Sequence, residues 1–534
     1  MKSEGKARGK HARLFVVCVL SFVFPFTLHS SPFTRQQAAT VVEYSGAAAP
    51  SWRAAHESEI ARFAERYKQL EPRLPVVIQL DDDYLSAAKA RKSIEVVDDC
   101  GEALCGVATD DFPEDWQVAE LRALFTPTTA PRLERDAFAV SLLGTFLGQD
   151  VERWAADCVA AGVEQETDSL VALPLLAARL RFVDPKHALR FAEAMAKAGT
   201  IDEARWSAAM RKLASAPSSR PVPHMHGATF SVTNRIEKSP ITEGAGTELK
   251  RLRAVGYDAI ALVPFAGQRG SDATELRRFA GSPASETDLA MRLTALRARR
   301  LGMRVLLKPH VWSWPGGDPT KIDPGPEHWP PWFASYGAFL THEALLARAI
   351  GADCLAIGTE LTRSESRPEW HALITRVRAL YHGPITYAAN FDAFEGTPFW
   401  QAVDAIGIDA YFPLSAKVDA SDADLRDGAA AVVARIDALA AKSGKPVLLT
   451  ELGYPATAAP WIEPWKEDRA AAAHAEAQAR VFAAMFEALS RSRSVVGLMV
   501  WKYESDGAAH DAAGYLPKEK PAEDVIRSYL KRFQ

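Results

Sequence analysis

The sequence of 534 residues has few cysteines and little net charge. Neither the spacing nor the neighbours of its five Cys residues indicate a zinc site. The formal net charge of −4 gives no electrostatic reason to expect a nucleic-acid partner. The hydrophobic share of 48% and the charged share of 24% are those of an ordinary globular protein. Because it has 534 residues, the chain is long enough for a large core and two or three domains.

The amino terminus carries a basic segment and then an apolar run over residues 14–28 that is too short for a comfortable transmembrane helix. Small polar residues follow the run, as in a secretory signal. We predict that residues 1–31 are a signal peptide or a membrane anchor, and that the protein is exported to the periplasm or the extracellular space. In an oxidising compartment Cys100 and Cys105 can pair across a short turn, with free buried thiols as the alternative.

Residues 50–216 show apolar residues mainly at helical spacing, which predicts an α-helical domain. Residues 76–80 are the exception and have the pattern of one strand. We assign no chemistry to this domain, and its protein partners are unknown. Prolines and small polar residues at 217–223 predict a linker between this domain and residues 224–534.

After the linker, apolar runs alternate with amphipathic helical stretches, which is typical of βα units and a parallel sheet. The predicted strands are 226–231, 259–265, 304–312, 354–361, 385–391, 405–412, 446–454 and 495–503. Eight such units over about three hundred residues match the size of a (β/α)8 TIM barrel. An open doubly wound sheet is the rival fold, but no glycine-rich nucleotide-binding turn follows the first strand.

The predicted strands end in aromatic, amide and carboxylate side chains, and a TIM barrel places its chemistry at these ends. Sugars present C–H faces that pack on indoles, and hydroxyls that need polar partners, so the residues suit a carbohydrate substrate. Glu360 ends the fourth strand and Glu451 ends the seventh. Glycoside hydrolysis needs two carboxyl groups across the scissile bond, which lie about 5–5.5 Å apart in retaining enzymes.

Four short sequence motifs support the interpretation as a glycoside hydrolase, and they occur in order at the ends of predicted strands. They are Leu307-Lys308-Pro309-His310-Val311-Trp312, Ile357-Gly358-Thr359-Glu360-Leu361, Leu449-Thr450-Glu451-Leu452-Gly453-Tyr454 and Val500-Trp501-Lys502-Tyr503. Together they resemble glycoside hydrolase family 113 of clan A, whose characterised members are β-1,4-mannanases. The resemblance covers about residues 224–511 and none of the helical domain.

The resemblance implies roles for individual residues. Glu360 would be the general acid/base, Glu451 the nucleophile and Tyr411 a hydrogen-bond donor to it. Trp501 would be the platform under the sugar at subsite −1. Thr359 replaces the Asn that most of clan A uses to hold the substrate 2-hydroxyl. Further sugar contacts would be His310, Trp312, Asn390 and Lys502. The segment after Trp501 is only loosely family-like, which leaves the substrate open.

We therefore predict a retaining glycoside hydrolase that needs no metal or cofactor and acts on a β-linked polysaccharide, with β-1,4-mannan as the first substrate. Two alternatives remain: a non-catalytic carbohydrate-binding barrel of the cell envelope, and a transglycosylase that uses the same covalent intermediate. Lys308 fits a sugar contact or an ion pair inside the barrel equally well. Five tryptophans fit either loop packing or sugar platforms, namely Trp314, Trp329, Trp332, Trp461 and Trp465.

Overall fold

The computed structural model of the chain describes residues 41–92, 95–216, 220–231, 235–468, 470–505 and 512–533. The predicted signal segment, residues 1–31, and part of the predicted linker lie outside these ranges. These described residues all belong to one compact unit. Among the described residues, no helix has both the length and the apolar character needed to span a membrane.

The region before residue 217 contains eight helices and six strands within its described part. The strands are β1 (Val42–Ser45), β2 (Val76–Asp81), β3 (Val97–Cys100), β4 (Ala103–Val107), β5 (Thr145–Phe146) and β6 (Gln149–Asp150). The helices are α1 (Pro50–Arg66), α2 (Tyr84–Arg91), α3 (Pro113–Phe125), α4 (Arg132–Leu143), α5 (Val151–Ala161), α6 (Ser169–Val183), α7 (Phe191–Ala198) and α8 (Glu203–Leu213).

The predicted helical region thus also holds a four-stranded sheet, ordered β1-β2-β4-β3. Only its β2 strand has an expected counterpart in the sequence pattern, because the others are four or five residues long. Cys100 and Cys105 form a disulfide across the β3–β4 hairpin, with Cα atoms 5.9 Å apart. The pairing alternative is therefore the one that the structure adopts.

The second region contains strands β7 to β17 and helices α9 to α15. The strands are β7 (Met225–Ser231), β8 (Ala259–Leu262), β9 (Phe265–Arg269), β10 (Arg277–Arg278), β11 (Arg304–Leu307), β12 (His310–Trp314), β13 (Cys354–Thr359), β14 (Ile385–Asn390), β15 (Ala405–Asp409), β16 (Val447–Leu452) and β17 (Val495–Glu504). The helices are α9 (Glu243–Val255), α10 (Asp288–Arg300), α11 (Trp329–Ala349), α12 (Glu369–Leu380), α13 (Asp422–Ser443), α14 (Ala475–Leu489) and α15 (Pro521–Leu530).

Eight of these strands close into a parallel barrel in the order β7-β8-β11-β13-β14-β15-β16-β17, which confirms the predicted (β/α)8 fold. The six residues of β16 are all buried, as expected for strands that are covered on both faces. An apolar cluster that includes Met225, Leu306, Cys354 and Met499 forms a separate core of small and medium-sized side chains. All eight barrel strands fall within the ranges predicted from sequence, to within a residue.

Three predicted strands are longer than the observed ones, and the sixth ends at Asp409 rather than at residue 412. The second and third barrel strands end at Leu262 and Leu307, whereas the sequence pattern continued them to 265 and 312. Pro264 and Pro309 follow these ends, and proline has no N–H to donate to a ladder. Beyond each proline the chain enters a separate three-stranded sheet in the order β10-β9-β12. This sheet stands over the barrel mouth and carries Trp312 and Trp314.

The amino-terminal region packs against the outer helices of the barrel through ion pairs. Arg348 of α11 donates to Asp157 of α5 at 2.8 Å, and both side chains are buried. Arg292 of α10 makes two hydrogen bonds to Asp115 of α3, at 2.8 and 2.6 Å. Ion pairs and helix contacts thus join the two regions.

A cavity of about 680 Å³ lies between the two regions, away from the strand ends. Its lining is strongly charged, but Arg292 is bound to Asp115 and His342 contacts Asp168 at 2.7 Å. The cavity therefore belongs to the packing between the two regions.

Candidate active site

Side chains of four barrel strands converge at the carboxyl end of the barrel. Alternate residues of a strand share a face, so Lys308 follows the buried Leu306 to the interior, and Asp409 follows Ala405 and Gly407. The ladder of β13, whose Cys354 lies in the interior core, shifts between Ala356 and Thr359, just before Glu360. The ladder of β16 shifts between Leu449 and Leu452, and irregularities of this kind are common beside active sites.

The Glu451 carboxylate is firmly held, and only 4% of the residue's surface is exposed. Lys308 donates from Nζ to Oε1 at 2.5 Å, and the Tyr411 hydroxyl donates to Oε2. His310 Nε2 lies 3.6 Å from Oε1. Thr450 follows Leu448 to the interior, where its hydroxyl donates to Asp409 Oδ1 at 2.7 Å, and the shift of the β16 ladder lets the next residue, Glu451, face inward as well. Both carboxylate oxygens of Glu451 are therefore held by donors.

Glu360 is held by its backbone rather than by its side chain. Its N–H donates to the Ala388 carbonyl at 2.8 Å, and its φ of 53° lies in the left-handed region. This conformation is uncommon for a residue with a Cβ, and such strained positions cluster at functional sites. Its carboxyl group accepts no hydrogen bond from the described part of the chain. The Glu360 carboxyl is thus oriented towards the other charged groups but is free to bind a ligand.

The two glutamates differ in their electrostatic surroundings. Burial raises the pKa of Glu360 well above its usual range, and the nearby Asp409 and Glu451 carboxylates raise it further. Burial also raises the pKa of Glu451, to about 7, but Lys308 and the Tyr411 hydrogen bond oppose this rise. Glu360 therefore keeps its proton to higher pH than Glu451, and carboxyl pairs whose pKa values are separated in this way divide acid and base roles between them.

Lys308 is the charged centre of the site and is fully buried. Its Nζ contacts Asp409 Oδ2 at 3.0 Å, Glu451 Oε1 at 2.5 Å and His310 Nε2 at 3.1 Å. These two carboxylates raise the pKa of Lys308 against the effect of burial. The ion-pair reading of Lys308 is thus the one that the structure adopts. Asp409 was not among the predicted site residues, although its strand-end position was a signal for it.

His310 and Trp501 form a wall beside the carboxylates. Their rings are nearly parallel, with centroids 6.1 Å apart. Burial, Lys308 and Lys502 hold the pKa of His310 well below its usual value, so Nε2 of the neutral ring accepts from the Lys308 ammonium. The Lys502 ammonium lies 5.4 Å from the centre of the Trp501 ring. The structure therefore brings these three predicted sugar contacts together.

Thr359 and Asn390, two other predicted sugar contacts, each use one polar atom in a hydrogen bond within the protein. The buried Thr359 hydroxyl donates to the Pro309 carbonyl at 2.9 Å, which leaves only its oxygen lone pairs for a substrate hydroxyl. Asn390 Oδ1 accepts from the Phe391 N–H at 2.9 Å, which leaves its amide N–H groups to donate. Direct substrate contacts of Thr359 and Asn390 stay predictions.

The structure separates the tryptophans that sequence left undecided. Trp329, Trp332 and Trp461 are at most 4% exposed and therefore belong to the core. Trp314 is 63% exposed and Trp465 is 46% exposed, and Trp312, a predicted contact, is 38% exposed. Exposed indoles beside a cleft are available to pack against sugar rings.

One group of three side chains elsewhere in the described ranges has the geometry of metal ligands, namely His56, Glu59 and Glu120. It lies in the amino-terminal region, where His56 Nδ1 already contacts Glu120 at 2.5 Å. Glu59 accepts from Arg62 and Gln117, at 2.7 and 2.8 Å. These protein partners account for the cluster, and it has no contact with the strand-end carboxylates.

A parallel (β/α)8 barrel with two glutamates at the ends of its fourth and seventh strands defines the class of (β/α)8 glycoside hydrolases. Comparison with known families matches residues 229–518, more than half of the chain, to Glycoside Hydrolase Family 113. The chain belongs to glycoside hydrolase family 113. No curated protein sequence matches it.

Solved structures agree with this assignment. A GH113 β-mannanase from Alicyclobacillus acidocaldarius is 26% identical, with a TM-score of 0.52, and the match covers 59% of this chain and 100% of that enzyme. A GH113 β-1,4-mannanase is also 26% identical, with a TM-score of 0.52, and the match covers 58% of this chain and 99% of that chain. A match of this extent corresponds in length to the barrel alone.

Proposed function

We propose that this protein is a retaining glycoside hydrolase that cleaves β-1,4-mannan by double displacement. The observation that carries the proposal is the contrast between the two glutamates. Glu451 accepts from Lys308 and Tyr411, which favours its ionised form, whereas Glu360 has no cationic partner within hydrogen-bond distance among the described residues. The similarity to β-1,4-mannanases supports the choice of substrate.

In the first step the ionised Glu451 attacks the anomeric carbon, and Glu360 gives its proton to the departing glycosidic oxygen. The sugar becomes an ester of Glu451, and the rest of the chain leaves as an alcohol. In the second step Glu360, now ionised, takes a proton from water, and the water oxygen displaces Glu451 from the same face that the leaving group left. Two inversions give net retention. In this mechanism the two carboxyl groups lie about 5–5.5 Å apart in the substrate complex.

The test compares the wild type with three variants on β-mannan, glucomannan, xylan and β-glucan, by release of reducing ends. Glu451→Ala should lower turnover by about 10⁴-fold or more, because no group remains to form the ester. Glu360→Ala should be rescued by azide on an activated substrate, since azide needs no base. Asp392→Asn, an exposed carboxylate just past β14, is the matched control and should keep full activity.

Wild-type turnover in either glutamate variant would refute the assignment of roles. Activity on another polysaccharide with mannan untouched would refute the substrate alone. Added sugar acceptors would reveal transglycosylation as longer products at the expense of free reducing ends.

We also propose that the protein is exported. The basic and apolar start of the sequence and the disulfide between Cys100 and Cys105 support an oxidising compartment. Amino-terminal sequencing of protein recovered from the periplasm or medium should begin near residue 32. Recovery only in the cytoplasmic fraction would contradict the proposal.

A further inference from the structure

Trp465 is an exposed indole on a built aromatic support. Its ring stacks on Phe391 at 5.0 Å between centroids and 17° between planes. Phe391 packs edge-on against the buried Phe412 at 5.8 Å. One indole face is therefore covered, and the 46% exposure of Trp465 leaves surface for a ligand.

A short chain of contacts fixes this indole relative to the carboxylates. The Tyr515 hydroxyl donates to the carbonyl of Pro464, the residue before Trp465, at 2.6 Å. The Tyr515 ring packs edge-on against Tyr411 at 6.0 Å, and Tyr411 donates to Glu451. The segment that carries Trp465 is thus connected to the reactive centre through two side chains.

The barrel topology places Trp465 on one particular side of that centre. Glu360 ends the fourth barrel strand and Glu451 belongs to the seventh. The line between them divides the barrel mouth into two parts. The fifth and sixth strands lie on one side, and the eighth, first, second and third strands lie on the other. Phe391 follows the fifth strand, so its stack with Trp465 stands on the fifth-and-sixth side.

A second aromatic surface stands on the opposite side. Trp501 belongs to the eighth barrel strand and stacks with His310. Phe265 packs against both His310 and Trp312, with centroids 5.1 and 6.4 Å apart. The Trp312 ring lies 6.4 Å from that of Trp314. The two glutamates therefore lie between two separate aromatic surfaces.

We propose that Trp465, supported by Phe391, is the platform for the sugar ring on the leaving-group side of the scissile bond. The ligand is a pyranose of the polysaccharide chain, whose C–H face packs on the open face of the indole. In the proposed reaction Trp501 is the platform of the sugar that Glu451 attacks, as the family resemblance implies, and the sugar that departs then lies across the line between the glutamates, over the fifth and sixth strands. This inference rests on the proposed hydrolase function.

The experiment measures kcat/KM of the wild type, Trp465→Ala and Trp465→Phe on two substrates. One is β-1,4-mannohexaose, which places sugars on both sides of the bond, and the other is a mannobiosyl fluoride, whose leaving group carries no ring. Trp465→Ala should lower kcat/KM on the hexaose by about tenfold, a typical loss for a truncated tryptophan contact. Its kcat/KM on the fluoride should be unchanged, and Trp465→Phe should recover part of the loss.

Trp314→Ala is the comparison variant on the opposite side of the two glutamates. It should lower kcat/KM on both substrates, because both carry the sugar that Glu451 attacks and a further sugar on that side. Equal losses on hexaose and fluoride in Trp465→Ala would overturn the inference, as would no loss on the hexaose. If the wild type hydrolyses the mannobiosyl fluoride but does not cleave β-1,4-mannohexaose, the substrate proposal fails. The same comparison is then made with an oligosaccharide of the polysaccharide that the enzyme does cleave. If the wild type acts on neither substrate class, it is the hydrolase proposal that fails.

Discussion

Replacement of Lys308 by methionine tests whether the Lys308 ammonium holds down the pKa of Glu451. The substitution shortens the unbranched side chain by one atom and removes the only charge that contacts both Glu451 and Asp409 in the described structure, at 2.5 and 3.0 Å. Two buried carboxylates then face each other without a cation. Each would take up a proton more readily, since charge repulsion and burial both disfavour the ionised form.

The size of the effect follows from the burial of the pair. Removing one partner of a buried ion pair costs about 3–5 kcal/mol. At about 1.36 kcal/mol per pKa unit, the lower figure moves the pKa of Glu451 upward by about two units. The wild-type pKa of about 7 leaves roughly half of Glu451 ionised at pH 7. A two-unit rise leaves about one per cent, so kcat/KM at pH 7 should fall about 50-fold.

The assay is the pH dependence of kcat/KM, whose acidic limb reports the group that must be ionised in the free enzyme. In Lys308→Met this limb should move to higher pH by about two units, and activity should partly return in alkaline buffer. Thr450→Val is the matched control, because it removes a hydrogen bond to Asp409 but leaves the Lys308–Glu451 contact. The acidic limb of its pH profile should move by less than about one pH unit. An unmoved limb in a folded Lys308→Met protein would refute the reasoning.

Three further predictions concern the pH profile, the hydrogen bond of Tyr411 and the packing of the amino-terminal region. Wild-type kcat/KM should rise as pH increases through the pKa of Glu451, near 7, and fall as Glu360 loses its proton at higher pH. Tyr411→Phe removes a donor to Glu451 and should shift only the acidic limb upward, by about one unit, whereas a shift of the alkaline limb alone would contradict the assignment. Asp157→Ala leaves the buried Arg348 with its hydrogen bond to Gln149 but without a carboxylate, and should destabilise the protein by about 3–5 kcal/mol in chemical denaturation. The more exposed Arg300–Asp111 pair is the control, in which Asp111→Ala should cost less than about 1 kcal/mol. Equal effects of the two Asp variants would show that Asp157 does not stabilise the domain contact.

The order of the barrel strands was readable from sequence because each buried strand is a local run of apolar residues. The positions of Glu360 and Glu451 followed from it, since a residue just past such a run lies at the barrel mouth. Pro264 and Pro309 were local signals too, and they explain why two strands end earlier than their apolar pattern. By contrast, the strands β1, β3 and β4 are short, and their sheet depends on pairing with β2, which a local pattern does not show.

By itself the sequence determined the fold of the barrel, the family resemblance and the pair of glutamates, because all three depend on short segments and their order. Only the tertiary structure decided what surrounds that pair. Lys308, Asp409 and Glu451 come from three different strands, so their mutual contacts, and the pKa order that follows, exist only once the barrel closes. The separation of buried Trp332 from exposed Trp465 has the same cause, since exposure depends on which distant residues pack against a side chain.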